Sequence, residues 1–184
     1  MRYLLALALL FGAASAYAGD GGGHTGGGND NPGAPPRVYD AQGKYVGQLA
    51  RYQSHNGVFL TVNGAVSFAG IEPLSIDNGA EYSATQFQWS SESLIYYTSA
   101  DCSKPPIIYY ERSPRPAEVV RLGTDVVLYV AGEADGTTVH ASADRGNPNI
   151  NVCASASKDL ANAFIPDTSY PLLQQHPEPL TIRP

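Results

Sequence analysis

From Arg37 onward the apolar positions recur mostly at intervals of two, the period of a strand with one covered face, and not at intervals of three and four. Arg37-Val38-Tyr39-Asp40 and the run from Lys44 to Tyr52, joined by Ala41-Gln42-Gly43, predict a first hairpin. Ser54-His55-Asn56-Gly57 carries turn chemistry and precedes a strand at 58–62. Asn63-Gly64 then lies between Phe59-Leu60-Thr61-Val62 and Ala65-Val66-Ser67-Phe68. Two residues that tolerate positive φ between two β-rich runs specify a type I′ hairpin. Further strands are expected at 84–89, 94–99, 106–111, 125–131, 137–143 and 150–154, with turns at 132–136 and 144–148. One segment, 157–164, has helical features: Ser157 as a cap, Asp159 in the first turn and Pro166 as a stop. The proline-rich tail after Tyr170 is expected to end as a strand at 179–182 or as a strap over the sheet. Many short strands without strand–helix alternation define an antiparallel all-β fold. The expectation is a sandwich or partly open barrel of about ten short strands, with one short helix near the C-terminus.

The chain before Arg37 has a different grammar. Arg2, an apolar run from Tyr3 to Phe11 and a small-residue exit ending Ala16-Tyr17-Ala18 have the three-part layout of a secretory signal peptide, with cleavage expected after Ala18. The run is shorter than the roughly 20 residues a spanning helix needs. Residues 19–36, GDGGGHTGGGNDNPGAPP, have too little side chain to offset their ordering entropy and read as a flexible linker. That leaves 37–184 as a single β-rich domain, exported to the periplasm or the extracellular space and not inserted in the membrane once the signal is removed. In an oxidising compartment the two cysteines, Cys102 and Cys153, are expected to form one structural disulfide.

Charge removes two function classes. Eleven Lys and Arg stand against 17 Asp and Glu, a formal charge of −6, and the basic residues are scattered. Nucleic-acid binding needs a concentrated positive face to displace counterions, and an electrostatic membrane patch needs the same. Neither is expected.

Catalytic chemistry is sparse. His24, His55, His140 and His176 show no spacing that presents two imidazoles to one metal, so no metal and no cofactor are expected. Ser155-Ala156-Ser157-Lys158 forms Ser-x-x-Lys, but the companion Ser-x-Asn and Lys-Thr-Gly elements are missing, and a helix cap explains the serine. Glu72, Glu81, Glu92, Asp125 and Glu133 lie mostly beside turns, where acids are solvated. No catalytic residue is assigned. Aromatic placement is the best remaining candidate: Phe87 with Trp89 on one strand face, and the pairs Tyr96-Tyr97 and Tyr109-Tyr110. Such rings stack on sugars or partners when exposed. Core packing is the favoured reading for Phe87, Trp89 and one tyrosine of each pair.

Val38-Tyr39-Asp40-Ala41-Gln42-Gly43-Lys44-Tyr45-Val46-Gly47 resembles a Val-x-Asp-x-x-Gly-x-x-Val-Gly pattern found in exported bacterial proteins and phage tail-like proteins. A later Tyr-x-x-x-Asp-Cys element of such proteins is matched by residues Tyr97 to Cys102. This chain departs from them in its plain glycine-rich spacer and in Ser103-Lys104-Pro105 after the cysteine. The resemblance implies a binding or structural role and carries over no catalytic residue. The expected function is a non-enzymatic β-domain that binds a protein or a surface glycan. The alternative is a small secreted hydrolase with a carboxylate pair that the sequence does not reveal.

Overall fold

Among the described residues the alternation from Arg37 onward becomes fourteen strands, and every ladder between them is antiparallel. The structure, a computed structural model, describes residues 35–109, 113–146 and 152–184, Asn78 by its backbone only. The expected signal peptide with its cleavage after Ala18, and linker residues 19–34, lie outside the described residues.

Seven strands form the largest sheet: β1 (Arg37–Tyr39), β2 (Tyr45–Gln48), β3 (Ala50–Tyr52), β4 (His55–Val62), β5 (Ala65–Ile76), β6 (Glu81–Trp89) and β14 (Leu180–Arg183). Their order is β2-β1-β14-β6-β5-β4-β3. The two outermost strands are halves of one segment, parted only at Leu49, whose N–H donates to the Pro36 carbonyl at 2.8 Å. The sheet therefore curls until one stretch of chain supplies both of its ends. No ladder joins β2 to β4, so it is not a closed barrel.

Local chemistry sets the turns. Asp40 is buried, and its Oδ1 accepts from the N–H groups of Gln42 and Lys44, both at 2.9 Å, which fixes the β1–β2 connection. Asn63 and Gly64 have φ of 48° and 82°, the positive pair a type I′ turn requires, and the ladder runs from Val62↔Ala65 to Asn56↔Ile71.

A second sheet of order β13-β10-β9 comprises β9 (Ala117–Leu122), β10 (Asp125–Ala131) and β13 (Pro166–Pro171). Its period-two pattern covers both faces. Val119, Val126, Leu128 and Val130 join the curled sheet's Val58, Leu60, Ile71 and Trp89 in the main core. Val120, Leu122 and Tyr129 turn the other way, toward Ile95, Tyr97 and Ala143. Those last residues belong to a third sheet of order β12-β11-β7-β8, formed by β7 (Ile95–Tyr97), β8 (Pro106–Ile107), β11 (Thr137–Arg145) and β12 (Ala154–Ala163). The Cys102–Cys153 disulfide forms beside this second core and ties the segment after β7 to the residue before β12.

Several expectations need correction. The segment 157–164 is not a helix but most of β12, paired with β11. Its buried positions, Leu160 and Ala163, are three apart because the strand is irregular: Asn162 has φ of 55° and the register shifts between Thr137 and Val139. A bulge resets the inside–outside alternation and so imitates helical spacing. The helix is instead α1 (Leu172–Gln175), seated by buried Leu172 in the main core. The turn read at 54–57 falls earlier, at Gln53-Ser54, with Gln53 at φ 54°. Gly57 lies inside β4, where a Cβ would stand 2.2 Å from the Ala69 carbonyl oxygen. It is glycine for close approach, not for turning. The strand expected at 94–99 shortens to β7, β8 covers the start of the one expected at 106–111, and β12 begins at Ala154, the end of the one expected at 150–154; residues 110, 111, 150 and 151 lie outside the described residues. Residues 44–52 are two strands serving opposite sheet ends, not one hairpin arm. Neither β9 nor β13 was expected.

Candidate functional site

Consecutive tyrosines on β7 open the site. Tyr97 packs into the second core, while Tyr96 turns to the opposite face with Ile107 and Leu160. There Tyr96 lines a cavity of about 280 Å³ with Tyr109, Leu94, Lys158, Glu92 and Glu118. Tyr96 and Tyr109 meet edge to face, their centroids 6.2 Å apart. Lys158, on β12, holds its ammonium 5.1 Å and 5.9 Å from the two ring centroids and donates to Tyr96 Oη at 3.2 Å.

A smaller cavity of about 40 Å³ is lined by Tyr52, His55, Phe68 and Ser90, and again by Glu92 and Glu118. The two acids thus border both spaces. Glu92 is placed by its N–H to the Val119 carbonyl at 3.4 Å, and Glu118, 4 % exposed, stands opposite Tyr129 in the β9–β10 ladder. Together they make a groove with aromatic rings at each end and carboxylates between. Burial raises the pKa of Tyr97 behind it, with the Tyr129 and Glu118 charges adding to the rise and the Arg145 charge opposing it. Tyr129 is raised by burial as well. These phenols stay neutral and present dipoles, not charge, to the inner wall.

Other candidates resolve into structural roles. Trp89 is fully buried and Phe87 packs beside it, so both serve the core. Glu72 accepts from Gln88 Nε2 at 2.9 Å across the β5–β6 ladder, and Glu133 pairs with Arg115 at 3.5 Å. Glu81 and Asp125 are exposed at the starts of their strands. His140 pairs with Asp159 at 2.7 Å. Ser155 and Lys158 lie on a strand, and the Lys158 ammonium bonds to Tyr96 and not to Ser155. Among the described residues no three His, Cys, Asp or Glu side chains gather as a metal site. His24 and Tyr110 lie outside the described residues.

The C-terminal segment builds a second polar cluster, which closes one end of the core. Trp89 Nε1 donates to the His176 carbonyl at 3.2 Å, and the Trp89 N–H donates to Glu178 Oε1 at 2.6 Å. The same oxygen accepts from Arg121 at 2.6 Å. His176 is 6 % exposed; its Nε2 meets Tyr170 Oη at 3.2 Å, and its Nδ1 lies 3.7 Å from Asp40 Oδ2, beyond hydrogen-bond length. Both of the latter atoms are buried without a hydrogen-bond partner. Burial pushes the His176 pKa down, the Lys44 charge pushes it further, and Asp40 pulls against both. With the folded pKa lowered, the unfolded chain takes up a proton first, so this contribution to stability is complete above about pH 6.5 and is lost as pH falls below it. Urea midpoints at about pH 7.5 and about pH 5 are expected to differ more for the native chain than for His176→Gln. Equal falls in the two proteins would place the acid sensitivity elsewhere.

Sequence reasoning did not single out Glu118, Lys158 as a groove cation, or the Asp40–His176 contact. The one available signal was Glu118 itself, an acid interrupting the apolar run Ala117-Glu118-Val119-Val120. No helix among the described residues is long and apolar enough to cross a membrane. No family model, curated protein or solved structure matches the chain. The groove's own geometry therefore carries the functional reading.

Proposed function

We propose that this protein is an exported, non-enzymatic β-domain that binds a glycan in the groove bordered by Glu92 and Glu118. The observation that carries the reading is that both acids line two neighbouring cavities whose far walls are aromatic, Tyr52 with Phe68 and Tyr96 with Tyr109. Flat apolar rings suit the C–H faces of a sugar, and carboxylates accept from its hydroxyls. A cavity of about 280 Å³ is at the small end for a ligand pocket and fits a single sugar unit better than a folded partner. The Cys102–Cys153 bond and the signal-like residues 1–18 support export. The resemblance of Val38 to Gly47 to exported β-domains agrees with a binding role.

Titration calorimetry of the purified protein against a panel of oligosaccharides tests this. Tyr109→Ala is expected to weaken binding about tenfold or more, because it removes the more exposed ring of the edge-to-face pair. Unchanged affinity in that variant would reject the groove as the site. A second reading, a small secreted hydrolase, is favoured by the shared position of Glu92 and Glu118, since glycoside cleavage uses two carboxylates flanking one bond. New reducing ends released from a bound oligosaccharide, and abolished by both Glu92→Gln and Glu118→Gln, would replace the binding reading with that one.

A further inference from the structure

We infer that the Tyr96–Tyr109 end of the groove reads an anionic substituent on the glycan, a carboxylate or a phosphate, through Lys158. The inference rests on the glycan-binding reading above and adds the charge of the ligand to it.

Lys158 is an exposed cation on the wall of the larger cavity. Among the described residues no carboxylate lies within salt-bridge distance of this one. Its neighbour in sequence, Asp159, is engaged by His140 instead. The single hydrogen bond to Tyr96 Oη uses one of three ammonium donors. Contact with two ring faces positions the charge without neutralising it, because a quadrupole carries no net charge.

That combination is a fixed ammonium with unused donors, facing a space large enough for a sugar unit. A carboxylate or phosphate placed there gains charge-assisted hydrogen bonds at little ordering cost, since the Tyr96 hydroxyl and the two rings already position the ammonium. Glu92, an exposed carboxylate on the same cavity, sets the polarity of the ligand. It repels an anion from its own side of the cavity and accepts hydroxyls there, so the acidic group is directed to the Lys158 end.

Calorimetry with the full-length protein and three probes of equal length decides the matter: a neutral glucose oligomer, a galacturonate oligomer and a phosphorylated glucose oligomer. At low salt at least one acidic probe is expected to bind about tenfold tighter than the neutral one, with the preference shrinking as salt is added. Which acidic probe wins distinguishes carboxylate from phosphate. Lys158→Met replaces the ammonium with a neutral side chain and is expected to abolish the preference, weakening the acidic probes at least tenfold more than the neutral one; Lys158→Arg is expected to retain it. Equal binding of all three probes, or a preference that survives in Lys158→Met, overturns the inference and leaves glycan binding standing. Binding of none overturns both.

Discussion

Glu178→Ala is expected to lower the unfolding free energy by about 3 kcal/mol, the lower end for breaking a buried ion pair because neither partner is wholly enclosed. One oxygen of this carboxylate accepts both the Trp89 N–H and the Arg121 guanidinium, each at 2.6 Å. Side-chain exposures of 16 % for Glu178 and 23 % for Arg121 leave water little access to compensate. Truncation orphans a backbone donor and a guanidinium together, and the cost of a lost partner exceeds the value of the bond it made. Glu178→Gln keeps an acceptor and removes the charge, so it should lose distinctly less. The chain's single tryptophan is the residue being bonded, so its fluorescence through a urea titration reports the transition directly. A loss below about 1 kcal/mol for the alanine variant would show that the cluster is solvated and does not hold the C-terminal segment down.

Opening the Cys102–Cys153 bridge should cost more. The two residues are 51 apart in sequence, and chain-entropy reasoning gives about 4 kcal/mol for a closed loop of that size. The bridge borders a small core of Ile95, Tyr97, Val120 and Ala143. In a domain of this size such a loss lowers the melting temperature by roughly 10 °C. Calorimetry of the double serine variant, and of the native chain with and without reductant, should give matching shifts. A reduced protein that melts with the oxidised one would mean that the unfolded chain is already compact across this loop.

Local rules carried much of the fold, and particular residues show where they stop. Asn63-Gly64 specifies its hairpin without help from elsewhere, since both φ values are intrinsic to those residue types. The alternation in Asp125–Ala131 is equally local. A lone pair of cysteines leaves only one partner to choose. By contrast, β12 is set by pairing with β11, and the bulge near Asn162 makes its buried positions look helical. Strand β13 is polar and ends in prolines, so nothing in Pro166–Pro171 announces a strand until β10 lies beside it. The groove was the least legible part. Glu92 follows β6, Glu118 lies on β9 and Lys158 on β12, so only the stacking of three sheets makes them neighbours. A pattern read along the chain has no term for that adjacency.

The pairing of β14 with β1 has a consequence for the order in which the molecule can be made and rearranged. Arg37 stands opposite Arg183, and β14 is inserted between β1 and β6. The first strand therefore waits for the last one, and the curled sheet cannot be completed progressively from its N-terminal side. The same adjacency places the two limits of the sheet side by side. A short peptide could join them, and new ends could be opened at the Asp77–Gly79 turn, giving a circularly permuted chain in which β14 and β1–β5 follow one another and β6, at the new N-terminus, is the one strand of the sheet made apart from them.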